Sequence, residues 1–202
     1  MKLKIPQTKY LLAGISPVLI VIAFLAVSGN FGANTKSTVD SPAGSLEEKF
    51  MMLSNANTNY CAPANVLSSK TDGERMQGSC CSKMDFHRYA EQVEGLKQYS
   101  KIDAIPSDPY DIEVSLANRL IAYDKEIVLT AQQQKVYDEA VGMSMEGGPC
   151  CCKCWRWTAF EGQAKYLITE YNFDGKQIAH VWDLEDGCGG SGHVGHSEPA
   201  KA

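Results

Sequence analysis

Residues 149–171 read PCCCKCWRWTAFEGQAKYLITEY, and this stretch says most about how the chain folds. Four cysteines within five residues lead directly into apolar side chains that recur at three- and four-residue steps, including Phe160, Leu167 and Ile168. Because this period is typical of an amphipathic helix, we predict a helix from the end of the cysteine run to about Tyr171. The cysteine run therefore lies at a helix start.

The same period recurs on both sides of this helix. Two further helices are predicted over about residues 85–99 and 112–127. Three more are predicted from their first residues: one begins at a capping box of Ser45 and Glu48, one at a capping box of Thr130 and Gln133, and one at Asp174. Residues 61–81 read as a loop, and no alternating strand pattern is found. The predicted fold class is all-α, an irregular cysteine-rich helical domain whose tryptophans Trp155, Trp157 and Trp182 belong to the core.

The composition is that of an ordinary globular protein with a weak negative charge. Of the 202 residues, 44% are hydrophobic and 21% are charged, which is enough apolar material to bury one core. The net charge is −5, and the basic residues are scattered rather than gathered into a stripe. Nucleic acid is therefore not expected as a partner.

The N-terminal segment predicts export from the cytoplasm. Three lysines precede an uncharged run over residues 11–27, the layout of a hydrophobic segment that inserts with its basic flank in the cytoplasm. We interpret residues 1–28 as a signal peptide or a membrane anchor, because the run nearly spans a bilayer and Ala26 with Ser28 also forms an acceptable cleavage pattern. The remainder is expected to be extracytoplasmic, either secreted or held at the membrane by this segment.

Three further regions follow this segment. Residues 29–45 are small and polar and are predicted to form a flexible tether. Residues 46–188 are predicted to form the cysteine-rich helical domain, and residues 189–202 are predicted to form a mobile tail that contains glycine and histidine.

The eight cysteines allow three interpretations: a metal site, structural disulfides, or thiol redox chemistry. Neighbouring cysteines seldom bond to each other, whereas thiolates are preferred ligands of soft ions such as Cu(I) and Zn(II). The predicted ligand set is Cys150, Cys152 and Cys154, completed by Cys188, with Cys151 as an additional candidate. No CxxC motif supports a thioredoxin-type dithiol, and no catalytic residue is predicted.

A second group of cysteines precedes the predicted helix over residues 85–99. A disulfide from Cys61 to Cys80 or Cys81 would close a loop of about twenty residues. Alternatively, Cys80, Met84 and His87 follow each other at four- and three-residue steps, so one helix face could present a ligand set that suits copper.

The end of the chain adds weaker candidates. His193 and His196 lie in the glycine-rich tail and are additional metal-ligand candidates. The acidic pair Glu185 and Asp186 is expected to face solvent before the final cysteine.

The run from Pro149 to Cys154 resembles the P-C-Y-C-G-C signature of a group of bacterial exported proteins of unknown function. The resemblance covers the second half of the chain and includes an upstream Tyr-x-x-Ala pattern at Tyr137 and Ala140. Only Cys150, Cys152 and Cys154 match cysteines of the signature, because Cys151 replaces its aromatic residue and Lys153 replaces its glycine. The histidine that closely follows in the family, and its lipoprotein cysteine, have no counterpart in this chain. The resemblance implies an extracytoplasmic, metal-associated role and no particular reaction.

The sequence therefore predicts an extracytoplasmic protein that binds copper or zinc through a cysteine cluster, as a metal carrier or scavenger. The alternatives are a disulfide-stapled interaction domain without metal and a thiol–disulfide oxidoreductase. Nothing in the sequence identifies a protein partner.

Overall fold

A computed structural model describes residues 44–189 of the chain. Within this range the fold is mainly helical, which confirms the predicted class in its coarse form. The helices are α1 Leu46–Asn55, α2 Phe86–Leu96, α3 Val114–Glu126, α4 Ala131–Met143, α5 Trp155–Glu170 and α6 Gly175–Glu185, with short 3₁₀ segments at Ala64–Ser69 and Lys97–Tyr99.

The predicted helix starts are observed at the residues that the capping chemistry indicated. Thr130 caps α4 in a complete capping box with Gln133, and the Ser45 hydroxyl accepts a hydrogen bond from the amide of Glu48 at the start of α1. Asp174 caps α6 in the same manner with Gln177. These side chains satisfy amide donors that the first helical turn leaves without a backbone partner.

A two-stranded antiparallel sheet corrects the expectation that the domain has no strands. Strand β1 covers Arg75–Gln77 and pairs with β2, Asp111–Glu113, so that Met76 lies opposite Ile112. Both central side chains are buried. Three residues show only one apolar alternation, which is too short a pattern to distinguish from a loop. The expectation of an uninterrupted loop over residues 61–81 was wrong for the same reason.

The core is built by two helix pairs, with α3 packed on α5 and α4 packed on α6. The close approach of α3 and α5 requires Gly162, where a Cβ atom would lie 2.0 Å from the carbonyl oxygen of Leu120. Trp155 and Trp182 are fully or almost fully buried, which confirms their predicted place in the core, whereas Trp157 is only half-buried. The N-terminus of α5, which follows the cysteine run, is thus anchored in the hydrophobic core.

Several predictions concern residues outside the described range. They are the signal or anchor over residues 1–28, most of the tether over residues 29–45, and the tail with His193 and His196. Among residues 44–189, no helix combines the length and the apolar character needed to cross a membrane.

Candidate metal centre

All eight cysteines of the chain lie within the described residues, and they converge on one cluster of free thiols. Four separate segments contribute: the loop after α1, the loop between β1 and α2, the bend between α4 and α5, and the residue Cys188 after α6. We call this set the cysteine cluster; its members are Cys61, Cys80, Cys81, Cys150, Cys151, Cys152, Cys154 and Cys188.

Backbone hydrogen bonds hold Cys80 and Cys81 against the segment that carries Cys188. The amide of Cys80 donates to the carbonyl oxygen of Gly187 at 3.1 Å, and the amide of Ser82 donates to that of Cys188 at 3.0 Å. The two loops therefore run side by side as a short non-helical ladder. Gly189 closes the ladder with a φ of +102°, and a Cβ atom there would lie 2.5 Å from the carbonyl oxygen of Ser82.

The bend between α4 and α5 places four cysteines at one helix start. Gly147 and Gly148 have φ values of +66° and +146°, a region that favours glycine, and they turn the chain away from α4. The amide of Gly148 donates to the hydroxyl of Ser144 at 2.7 Å, which fixes the turn. Cys154 is the N-cap residue of α5, so its sulfur lies at the positive end of the helix dipole.

Cys61 reaches the cluster because its loop is tied to the same helix start. The amide of Trp155 donates to the carbonyl oxygen of Ala62 at 2.7 Å. A cleft of about 160 Å³ opens beside this bond, lined by Cys61, Ala62, Pro63, Cys152, Lys153 and Cys154.

The cluster has a buried side and an exposed side. We call Cys150, Cys154 and Cys188 the inner cysteines, because they are at most 5% exposed. We call Cys61, Cys81 and Cys151 the rim cysteines, because they face solvent, whereas Cys80 and Cys152 are half-buried. An ion or a reagent can therefore reach the rim without any rearrangement of the core.

Five sulfur separations are closer to those of two ligands on one ion than to the length of a disulfide bond. Sγ–Sγ distances are 3.4 Å for Cys61–Cys81, 3.5 Å for Cys80–Cys81, 3.7 Å for Cys81–Cys151 and 3.9 Å for both Cys80–Cys188 and Cys150–Cys154. Metal–sulfur bonds of about 2.3 Å place two sulfurs on one ion about 3.8 to 4.0 Å apart, whereas a disulfide bond is about 2.05 Å long.

The predicted disulfide from Cys61 to Cys80 or Cys81 is not formed. The closest sulfur to Cys61 is that of Cys152, at 2.7 Å, and a similarly short contact of 2.8 Å joins Cys151 to Cys188. Cys61 thus contacts both the bend before α5 and the loop before α2, and it is not dedicated to one partner.

The predicted ligands all lie in the cluster, but they are distributed over different groups of neighbours. Cys188 groups with Cys150 and Cys80, whereas Cys152 and Cys154 group with Cys61. Cys188 shares no such three-sulfur group with Cys152 or Cys154. Cys61, Cys80 and Cys81, which were predicted as a separate set, lie in the same cluster.

The structure places Met84 and His87 apart from these sulfur groups. Met84 packs against the small core of Leu53, Tyr89 and Tyr110. The His87 side chain is 85% exposed and contacts Glu91 at 3.1 Å.

Arg156, which was not among the predicted site residues, is a buried cation beneath the cluster. Its side chain is completely buried, and its guanidinium donates to the carbonyl oxygens of Pro109 at 2.9 Å and Glu185 at 2.5 Å. Burial opposes its charge, but electrostatic attraction to the neighbouring cysteines, Cys150 among them, raises the pKa of Arg156 above its ordinary value. A signal was present in the sequence, because Arg156 lies four and eleven residues before the core residues Phe160 and Leu167 and thus shares their helix face.

In the absence of a metal, the pKa values of the thiols differ from one another. Hydrogen bonds from Cys154, Cys188 and Cys80 lower the pKa of Cys150 far below its ordinary value, and the Arg156 charge acts in the same direction. The same hydrogen bonds raise the pKa values of the three donors, and burial raises that of Cys151 to about 12. Negative charge is therefore favoured at Cys150, the least exposed of the three inner cysteines.

Glu185 and Asp186 are buried, so the expectation that they face solvent was wrong. A carboxylate oxygen of Glu185 accepts a hydrogen bond of 2.6 Å from Gln163, and an oxygen of Asp186 accepts one of 3.0 Å from the amide of Cys188. The pair ends α6 inside the domain because the chain must turn there to bring Cys188 to the cluster. Burial raises the pKa of Glu185 to about 8.

No protein-family profile, curated protein sequence or solved structure matches this chain. The resemblance to the P-C-Y-C-G-C proteins rests on the three motif cysteines and stays an expectation.

Proposed function

We propose that this protein binds a soft metal, copper or zinc, through the cysteine cluster and acts outside the cytoplasm as a metal carrier or scavenger. The observation that carries the proposal is the convergence of eight free thiols from four segments, in groups of three whose sulfurs all lie within 4.8 Å of one another. Thiolate sulfur is the ligand type that these ions prefer.

The surroundings of the cluster support this chemistry. The buried guanidinium of Arg156 favours the thiolate form of Cys150, and the backbone amides at the N-terminus of α5 act in the same direction on Cys154. The rim cysteines and the cleft beside Cys61 leave one side open to solvent. A closed, fully buried structural site would not need this access, so we favour a site that exchanges its metal.

Thiol–disulfide exchange is a second candidate, favoured by two specific contacts. Cys61 with Cys152 and Cys151 with Cys188 are the closest sulfur pairs in the described part of the chain. Oxidation of either pair would form one disulfide, release two protons and transfer two electrons to an oxidant such as a small-molecule disulfide.

Elemental analysis together with a thiol count distinguishes the candidates. We expect protein purified without chelators or added reductant to carry copper or zinc, with thiols that react only after the metal is removed. A metal-free protein without titratable thiols would favour the disulfide-stapled alternative and contradict the proposal. Turnover in a disulfide-reduction assay would favour thiol–disulfide exchange.

Two variants test whether the cluster holds the metal. Cys151→Ser removes an exposed ligand candidate, so it should lower the metal content without unfolding the domain. Met84→Leu is the matched control, because it removes a sulfur that packs in a core outside the cluster and conserves side-chain volume. Equal metal content in both variants would contradict the assignment.

A further inference from the structure

The ligand groups within the cluster overlap, so most sulfurs belong to more than one of them. Five groups of three sulfurs occur in which every sulfur lies within 4.8 Å of the other two. Seven of the eight cysteines belong to two groups each, and Cys154 belongs to one. The groups are Cys61/Cys80/Cys81, Cys61/Cys152/Cys154, Cys80/Cys150/Cys188, Cys81/Cys151/Cys188 and Cys150/Cys151/Cys152.

Membership in two groups is the geometry of a bridging thiolate. A thiolate sulfur has several lone pairs and can bind two metal ions at once. If neighbouring groups each held an ion, the shared cysteine would bridge them. For example, Cys188 belongs to the groups Cys80/Cys150/Cys188 and Cys81/Cys151/Cys188, so its sulfur would bridge the ions of these two groups.

The size of the groups favours Cu(I) over zinc. Structural zinc takes four ligands in a tetrahedron. Each of the five groups contains three sulfurs, and three thiolates satisfy Cu(I), which readily accepts trigonal coordination.

Charge balance also favours several ions. Eight thiolates around a single Zn²⁺ ion would leave a formal charge of −6, and Arg156 is the buried cation beneath them. Concentrating that charge in a half-buried site is costly, so with one ion most thiols would have to stay protonated. Each additional Cu(I) ion contributes one positive charge, so several ions offset more of the charge of the eight thiolates than a single ion does.

We infer that the cysteine cluster holds more than one Cu(I) ion, up to one for each of its five groups, joined by bridging thiolates. This inference rests on the proposed function and specifies its cargo. Binding is acid–base chemistry without electron transfer: each thiol releases its one proton when its sulfur first binds copper, and a second, bridging bond uses another lone pair of the same thiolate.

Anaerobic titration of the reduced, full-length chain with Cu(I) acetonitrile complex tests the inference. We expect between two and five coppers per chain by elemental analysis, the orange luminescence of solvent-shielded Cu(I)–thiolate clusters, and a short copper–copper vector in X-ray absorption. A single copper per chain, or one zinc that copper cannot displace, would overturn the inference but leave the proposed function intact. Failure to bind either metal would overturn the proposed function as well.

Two variants refine the test. Cys151→Ser removes a ligand from two groups and Cys154→Ser from one, so the first should lose more copper than the second. Cys151 is exposed, and serine is a favoured N-cap residue at position 154, so both variants should fold. Circular dichroism checks the folding. Loss in the reverse order would contradict the bridging arrangement, and the copper count of the unmodified chain decides the inference if either variant unfolds.

Discussion

Gly187 packs directly against the guanidinium of Arg156: a Cβ atom at position 187 would lie 2.5 Å from Cζ of Arg156. The carbonyl oxygen of Gly187 also accepts a hydrogen bond from the amide of Cys80. Gly187 therefore contacts both the buried cation and the loop that carries Cys80 and Cys81. Because Gly187 has no side chain, the segment after α6 can pass close to the Arg156 guanidinium and place Cys188 in the cluster.

We expect Gly187→Ala to destabilise the domain by about 1–3 kcal/mol, because the added methyl group must displace a buried and hydrogen-bonded side chain. Urea unfolding of the reduced, metal-free protein measures the effect. Gly142→Ala is the matched control, since position 142 lies in α4 with open space around it and alanine favours a helix. Equal stability of the two variants would show that position 187 tolerates a side chain.

We expect Arg156→Lys to lower stability by roughly 1–3 kcal/mol and to weaken metal binding. Lysine keeps the charge but cannot donate to the carbonyl oxygens of Pro109 and Glu185 with the same fork geometry. Competition with a chelator measures the metal affinity. Arg119→Lys is the control, because Arg119 is exposed and pairs with Asp103 at the surface. If both variants keep the affinity of the unmodified chain, Arg156 does not support the cluster.

Glu185 should make the metal-free protein less stable as the pH rises. Its pKa is raised to about 8 in the folded state, so between the ordinary carboxyl pKa and 8 the folded chain holds a proton that the unfolded chain has released. Stability therefore falls with rising pH in this window, by at most about 1.4 kcal/mol per pH unit, and this contribution levels off above the folded pKa.

Glu185→Gln should remove this slope, because an amide does not titrate and glutamine matches the shape of the neutral acid. Unfolding free energies measured from pH 5 to pH 9 provide the comparison, with the exposed Glu170→Gln as the control. Parallel curves for Glu185→Gln and the unmodified chain would rule out a buried neutral carboxyl at this position.

Alkylation of the reduced, metal-free chain should modify the rim cysteines before the inner ones. Among the rim cysteines, Cys81 should react before Cys151. Burial opposes ionisation of Cys81, but hydrogen bonds from Cys61 and Cys80 lower its pKa, whereas burial raises the pKa of Cys151 to about 12. Limited treatment with iodoacetamide followed by peptide mass spectrometry gives the order. Early modification of Cys150 or Cys188 would contradict the burial of these two thiols.

The helices could be predicted because their information is local. Apolar side chains at helical spacing and capping residues such as Thr130 and Asp174 lie within a few residues of the structure that they specify. The strands β1 and β2 could not, because each is three residues long and is stabilised by a partner more than thirty residues away.

The cluster itself could be predicted only in part. The adjacency of Cys150, Cys151 and Cys152 is visible in the sequence. The approach of Cys61 to Cys152 joins residues 91 positions apart and depends on the hydrogen bond between Trp155 and Ala62. The ladder between Cys80 and Gly187 spans a still longer separation. Backbone contacts between irregular loops leave no periodic signature, so the sequence suggested two or three small sites where the structure has one cluster of thiols.

X-ray absorption at the metal edge of the metal-loaded chain tests most directly whether the cysteine cluster is a metal centre. We expect a first coordination shell made of sulfur alone, because every ligand group of the cluster is composed of cysteines. A first shell dominated by nitrogen or oxygen would mean that the metal is bound elsewhere, and would contradict the assignment of the cysteine cluster as the metal centre.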